Sequence, residues 1–460
     1  MQPANILLIH VDQHRFDCVG ANGHPAAHTP NLDRLAAEGV NFTHAFCPIA
    51  VCMPARTSLM TGLYATQHGC LVNDGVEGYC PARSELPTFS RALKAAGYRL
   101  AHLGKWGIGL GDDPTALGFD DYAPASAYRV WRAKQGLPPP PRANTWFGEA
   151  DPAITPEQSA LGWGAGQVIR LLEEAAVSDQ PFFIRWDPEE PHLPSIAPEP
   201  FASLVKPADV PPWLSFPDAL TGKPSIQRQQ VRSWGLEGWT WAQWAPTVAR
   251  YLGVVALIDH QVGHILAALD ALGLAEQTLV VYTSDHGDLC GGHGMIDKHY
   301  VMYDDVMRVP LLLRWPGYLP AGRVEDAFVT SALDLATTFC AAATIEPPPT
   351  FEGYDLLALA RGNQPQREMV FGSYHGAQFG AYSQRMVRTR VWKYIWNPTA
   401  EDELYDLAGD PGELRNRAVD PACAQTLQRL RSELATWMAE IKDPLLNEWT
   451  RRQLLEGKKL

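Results

Sequence analysis

Positive charge is scarce in this 460-residue chain: 38 Lys and Arg stand against 51 Asp and Glu, a formal net charge of −13 with histidine neutral. That excludes a nucleic-acid binder working by bulk charge. Charged residues of both signs make up only 19% of the chain against 46% apolar ones, which excludes a disordered or fibrous chain and provides for a large core. The eight cysteines include no C-x-x-C pair, so neither a zinc ribbon nor a disulfide scaffold is indicated. No internal repeat is visible. The start, MQPANILLIHVDQ, lacks basic residues, and its apolar run is too short for a signal peptide or a membrane span. The expectation is a cytoplasmic chain with no membrane partner, or a periplasmic one if a leader precedes it.

What is present is a rhythm of short apolar runs and helical patterns, which predicts βαβ units around a mostly parallel sheet. Strands are expected at Asn5–Val11, Tyr98–Leu103, Phe182–Trp186 and Thr278–Thr283, because buried parallel strands read as continuous apolar runs. Helices are expected at Pro30–Glu38, Thr88–Ala96, Ala165–Ala176 and Pro246–Leu272. Two stretches rich in proline and tryptophan, near 124–156 and 188–245, interrupt the rhythm and read as functional insertions. The tryptophans at 213, 234, 239, 241 and 244 suggest a lid or contact surface, not a second core. A small sheet (Met369–Tyr374, Met386–Arg390, Lys393–Trp396) and a closing helix (Ala422–Ile441) are expected near the end. The fold class is α/β: a large mixed sheet sandwiched by helices over 1–365, then a small α+β subdomain over 366–460.

Open α/β sheets place their chemistry beyond the carboxyl ends of the strands. The expected strands run into Asp12-Gln13, into Lys105, into Asp187 and then His192, and into Asp285-His286. Taken singly, an acid after a strand is commonly a turn or a helix cap. Together, Asp12, Gln13, Asp285 and His286 offer oxygen donors and one imidazole to a divalent cation. The oxygens suit Ca²⁺ or Mg²⁺, and the imidazole leaves Mn²⁺ and Zn²⁺ open.

The segment from Val51 to Gly62 carries a proline early and a glycine at its end, which reads as a short helix with Cys52 at its N-terminus. Unpaired N–H groups and the helix dipole there favour an anion. Arg56, four residues on, lies on the same face and can reach back to Cys52. Cys52 is then either a nucleophilic thiol of low pKa or a buried, inert cysteine.

Cys52-Met53-Pro54-Ala55-Arg56 followed by Leu59-Met60-Thr61-Gly62 resembles the C-x-P-x-R…L-x-T-G signature of the formylglycine-dependent type I sulfatases of the alkaline phosphatase superfamily. The similarity extends along the chain through Thr29-Pro30-Asn31-Leu32-Asp33, Gly104-Lys105-Trp106 and Pro191-His192-x-Pro194. It continues in Ser284-Asp285-His286-Gly287 and Glu403-Leu404-Tyr405-Asp406-Leu407. The resemblance implies an alkaline phosphatase-like fold and a sulfuric ester hydrolase. It makes Asp12, Gln13, Asp285 and His286 ligands of a divalent metal, Ca²⁺ first, with Cys52 completing the site as formylglycine. It also implies a maturation enzyme that reads Cys52 to Arg56. One hydroxyl of the hydrated aldehyde would attack sulfur and the other would later expel sulfate. Arg56 would fix the hydrated form; Lys105, His192 and Lys298 would hold sulfate, and His192 or Lys298 would protonate the leaving oxygen. Independently of the resemblance, Asn73, a turn beyond His68, either stabilises its own loop or faces the substrate pocket.

Three departures stand out: Gln13 where many members have Asp, His286 where others have Asn, and Gly107 where the family has histidine. His102, His68, His293 or a group from an insertion are candidates to replace that last histidine; alternatively the gap admits a bulkier substrate. Two other readings stay open, a phosphonate monoester or phosphodiester hydrolase of the same superfamily and an inactive binding homologue. Lys105 within Gly-Lys-Trp favours the sulfatase. The aromatic insertions suit sugar faces, aryl groups or a homo-oligomer interface, and a small carbohydrate or aryl sulfate is the expected substrate.

Overall fold

A computed structural model describes residues 3–459 apart from 77, 112, 142–146 and 377–378. Among these residues eight strands form one sheet: β1 (Asn5–Val11), β2 (Val40–Phe46), β3 (Arg99–Gly104), β4 (Asp121–Pro124), β5 (Phe182–Asp187), β6 (Thr278–Ser284), β7 (Leu311–Arg314) and β8 (Arg323–Thr330). Their spatial order is β8-β2-β7-β6-β1-β5-β3-β4. β7 is antiparallel to both neighbours and every other pairing is parallel.

Continuous apolar runs such as NILLIHV and TLVVYTS form the centre because helices cover both faces of the sheet. Ile6 and Leu8 of β1 point to the face packed by α2 (Cys52–Thr61) and α5 (Ser331–Ala342). Leu7, Ile9 and Val11 point to the other, packed by α1 (Pro30–Ala37), α3 (Ala160–Ala175) and α4 (Trp241–Ala271). By length and composition α4 could cross a membrane, but most of its apolar window is buried against this sheet.

Two helices begin five residues before the sequence pattern suggests. In α3, Ser159 caps Gly162 N–H and the glycine-rich start survives because Gly164 lets the helix close on Trp186. In α4, the Thr240–Gln243 capping box sets the start ahead of Pro246.

The strands β6, β1, β5 and β3 are adjacent and parallel, so their carboxyl ends share one edge. Asp285, Asp12, Asp187 and Lys105 therefore stand side by side along it. Gly104 makes the last of these placements possible: at φ +104 its Cα lies so close to β5 that a Cβ would meet Asp187 O at 2.0 Å.

A second, antiparallel sheet follows in sequence order: β9 (Met369–Gly376), β10 (Tyr382–Thr389), β11 (Trp392–Trp396) and β12 (Glu403–Asp406), backed by α6 (Ala424–Glu440). β12 is a strand the pattern did not suggest. Val370, Met386, Ile395 and Leu430 belong to the same apolar cluster as α2 and α5, so the core is continuous across both sheets.

The insertions differ from expectation. Glu149–Ala150 of the first pairs with Ile196–Ala197 of the second, while residues 142–146 lie outside the described residues. Two tryptophans of the second turn inward and build small satellite cores, Trp244 fully buried and Trp213 buried with its indole N–H on Cys290 O at 2.8 Å, while Trp234, Trp239 and Trp241 stay partly exposed and Trp234 lines a cavity. The loop carbonyl satisfies the Trp213 indole, whereas Trp244 Nε1 has no hydrogen-bond partner among the described residues.

Candidate active site

The register of β1 on β6 pairs Val11 with Ser284, which sets Asp12 beside Asp285. Gln13, in the left-handed region at φ +68, turns its backbone N–H onto Asp285 Oδ1 at 3.0 Å. His286 Nδ1 donates to Gly287 O at 2.8 Å, which leaves Nε2 free to face inward. There it meets Cys52 Sγ at 3.2 Å, and Cys52 Sγ lies 3.6 Å from Asp12 Oδ1. One donor atom from each of Asp12, Cys52, Asp285 and His286 falls within a 4.8 Å cluster, all four residues buried. Two carboxylates and an imidazole whose outer nitrogen is tied to a carbonyl form a donor set that fits a divalent cation.

Cys52 opens α2, as the sequence suggests, and Gly62 closes it at φ +65. No side chain at its own N-cap serves the helix; Asn73 does so from the neighbouring loop, its Oδ1 accepting Met53 N–H at 2.9 Å. Asn73 thus positions Cys52 while also lining the cavity outside.

Arg56 does not reach back to Cys52 by hydrogen bond. Its guanidinium is shared among three buried carboxylates: Nε to Asp285 Oδ2 at 3.0 Å, Nη2 to Asp12 Oδ2 at 3.1 Å and Nη1 to Asp187 Oδ1 at 3.2 Å. Asp187 is in turn held by His10 Nδ1 at 2.8 Å and Arg185 Nε at 2.5 Å. It sits at a strand end, where the sequence flagged it, but its role as the base of the site was not legible.

Lys105 Nζ pairs with Asp12 Oδ2 at 2.5 Å. Lys298 Nζ donates to Gln13 Oε1 at 2.7 Å and to His192 Nε2 at 3.0 Å, and lies 3.3 Å from Asp297 Oδ1. His192 Nδ1 donates to Leu193 O at 2.7 Å, and Asp12 N–H donates to Glu190 O, which draws the loop over the site. Asp12, Gln13, Cys52, Arg56, Lys105, His192, Asp285, His286 and Lys298 therefore gather at one edge, with Asn73 beside Cys52.

Electrostatics follows from this crowding. Burial penalises every charged form, but Lys105 and Arg56 outweigh it at Asp12 and hold its carboxyl well below the usual range. At Cys52, burial and Asp12 push the thiol up, yet Lys105, Lys298 and His286 prevail and hold its pKa well below an ordinary thiol. Burial opposes the imidazolium of His286, but Asp285 and Cys52 raise its pKa to about 9. The site is built to hold negative charge at position 52.

Gln13 was expected from sequence as an oxygen donor, but what orients it was not. Its amide Nε2 donates to Asp288 Oδ2 at 2.5 Å and to Asp297 Oδ1 at 3.1 Å, so Oε1 is the atom left to face Lys298. Asp288, pushed up to about 6 by burial and by Asp297, and Asp297, in the left-handed region at φ +68, form an acidic bracket that accepts an amide.

None of the three histidines considered for the place of Gly107 reaches the cluster. His102 is fully buried, with Nε2 on Lys105 O at 3.1 Å. His68 pairs with Ser58 Oγ at 3.1 Å, and His293 with Asp218 Oδ2 at 2.7 Å while stacking on Tyr303. A side chain at Gly107, at φ +48, would bear on Arg56 Cδ at 3.3 Å.

Residues 4–345 match the family described as Sulfatase, and residues 291–440 match one described as N-sulphoglucosamine sulphohydrolase, C-terminal. The chain is 30% identical to the uncharacterized sulfatase YidJ of Escherichia coli over 98% of this chain and 90% of that protein. It is 28% identical to an arylsulfatase of Clostridium perfringens over 90% of each. Its fold superposes on the crystal structure of the phosphonate monoester hydrolase of Agrobacterium radiobacter with a TM-score of 0.82, at 27% identity over 95% of this chain and 96% of that one.

The bracket around Gln13 makes a prediction. Gln13→Asp removes the amide donor from Asp288 and Asp297, adds a third carboxylate, and lowers stability by about 1–3 kcal/mol. Adding Asp288→Asn restores at least half of the loss, because the pair is coupled. Denaturant titration of the two single variants and the double variant measures this; strict additivity would show that the bracket does not set the identity of residue 13.

Proposed function

The chain belongs to the sulfatase family and is a sulfuric ester hydrolase, and we propose that it cleaves a carbohydrate or aryl sulfate monoester through a formylglycine made from Cys52. The observation that carries this reading is the convergence of Asp12, Asp285, His286 and Cys52 within 4.8 Å at the N-terminus of α2. Asp12, Gln13, Asp285 and His286 would hold the divalent cation, Ca²⁺ being favoured by the oxygen donors. When bound, the cation neutralises sulfate oxygens and lowers the pKa of the nucleophilic hydroxyl.

The chain's own residues supply the rest. Cys52, Pro54 and Arg56 are all buried in α2, so a maturation enzyme that reads them acts before this helix is packed. Lys105 and Lys298 flank the reacting position, and the helix N-terminus adds partial positive charge where a sulfate would rest. Both ammonium groups hold their protons tightly: burial opposes charge, but Asp12 at Lys105 and Asp297 at Lys298 raise their pKa well above an ordinary lysine. That leaves His192 to protonate the departing alcohol, in the form whose Nε2 carries a proton in place of accepting one from Lys298. Burial and Lys298 disfavour its imidazolium, Cys52 and Asp12 favour it, and the balance lies above the ordinary histidine value.

The alcohol side of the ester has a cavity of about 530 Å³ beside Lys298 and His192, walled by Asn73, Trp234, Tyr374 and Phe379. Aromatic walls with a few polar groups suit a sugar or an aryl ring.

A phosphonate monoester hydrolase is the second reading, favoured by the superposition on one such enzyme. Lys105, bonded directly to the metal-site carboxylate Asp12, is the feature that supports sulfate. Comparing kcat/KM on 4-nitrophenyl sulfate and 4-nitrophenyl phenylphosphonate decides between them. The sulfate is expected to be the better substrate, and a clear preference for the phosphonate would overturn the reading. His192→Ala is expected to lower kcat by about 10²–10⁴-fold on an alkyl or sugar sulfate. It should cost far less on 4-nitrophenyl sulfate, whose leaving group needs no proton; an equal loss on both would remove His192 as the acid.

A further inference from the structure

A second cavity, of about 410 Å³, shares only His192 and Leu193 with the first. It reaches the reacting centre at Lys105, where the first reaches it at Lys298. The sulfate-binding groups therefore have a cavity on either side of the His192–Leu193 wall.

Beyond the ends of β3 and β5 and the His192 loop, this second space is lined by elements that the reaction itself does not require: the helix Ala125–Lys134 in the first insertion and the start of α3. Tyr128 and Trp163 form an aromatic wall, their rings 6.2 Å apart. Tyr128 is fixed, its hydroxyl donating to Gln158 O at 2.9 Å. Arg132, below it, is neutralised by Asp151 at 2.7 Å. The polar groups left for a ligand are the carboxylates of Glu189 and Glu190 and the guanidinium of Arg129, which is exposed; none of the three enters an ion pair among the described residues.

Resting on the sulfatase reading, we infer that this cavity is a second sugar subsite and that the substrate is a sulfated disaccharide or longer glycan, one unit in each cavity. Aromatic faces beside carboxylates and a guanidinium complement a ring that is apolar on its faces and hydroxylated at its edges. A single rigid aryl group cannot fill both spaces, because the His192–Leu193 wall divides them. Two compact rings joined by a bent linkage can, and the two volumes together fall within the range of small-ligand sites.

The test uses the full chain with oxidised Cys52 and three kinds of probe: 4-nitrophenyl sulfate, monosaccharides sulfated at O2, O3, O4 or O6, and disaccharides carrying the same sulfated unit. For the preferred regioisomer, kcat/KM is expected to be at least about tenfold higher for the disaccharide than for the monosaccharide. Trp163→Ala and Arg129→Ala should each remove most of that advantage while leaving the aryl sulfate and the monosaccharide unchanged. The subsite is overturned if the wild-type enzyme treats monosaccharide and disaccharide alike. It is overturned equally if both variants lose activity on all three probes in proportion. If the wild-type enzyme cleaves no sulfate ester of any kind, the sulfatase reading itself fails, a result distinct from either.

Discussion

The site depends on one guanidinium. Arg56 meets Asp12, Asp187 and Asp285 within 3.2 Å, all fully or almost fully buried, and among the described residues is the one group that bridges the three carboxylates which three parallel strands bring to this edge. Neighbouring carboxylates repel in a dry interior, and removing one partner of a buried ion pair costs about 3–5 kcal/mol. The cation is therefore a condition of the fold as well as of the chemistry. Because Arg56 lies one turn after Cys52 on α2, the same contacts that balance the acids also fix where Cys52 stands. Asn73 secures the other end of that placement by capping the helix from outside.

Around this centre the positive groups are arranged in order of reach. Arg56 faces the strand ends, Lys105 touches Asp12 from the β3 side, and Lys298 touches Gln13 and His192. A chain of net charge −13 can bind an anion here because contact-range fields decide, and distant acids are screened. The insertions then add shape: one contributes the His192 loop and Trp234, the other the aromatic wall at Tyr128.

The strand ends were legible in the sequence, since continuous apolar runs in front of Asp12, Lys105, Asp187 and Asp285 locate the active edge of an open sheet. Cys52, Arg56, His192 and Lys298 were legible through the family signature, and the structure brings them together. What the sequence hid are contacts between residues far apart in the chain. The pairing of Asp187 with Arg56 is one such contact, and Asp288 with Asp297 around Gln13 read as ordinary acids in loops until the fold joins them. The tryptophans of the second insertion misled for a related reason: clustering in sequence does not say which way an indole faces, and burial of Trp213 and Trp244 depends on loops that arrive from elsewhere. The histidines considered for the place of Gly107 were candidates by residue type, and each proves to be engaged by a structural partner.

The central claim is that position 52 acts as an aldehyde within this cluster. The most direct measurement prepares the protein with graded amounts of a formylglycine-generating enzyme. The fraction of aldehyde in the Cys52 peptide is then quantified by mass spectrometry and set against kcat on an aryl sulfate. The account predicts that kcat rises in proportion to the aldehyde fraction and extrapolates to zero where the thiol is intact. Full turnover by protein whose Cys52 is entirely thiol would contradict it.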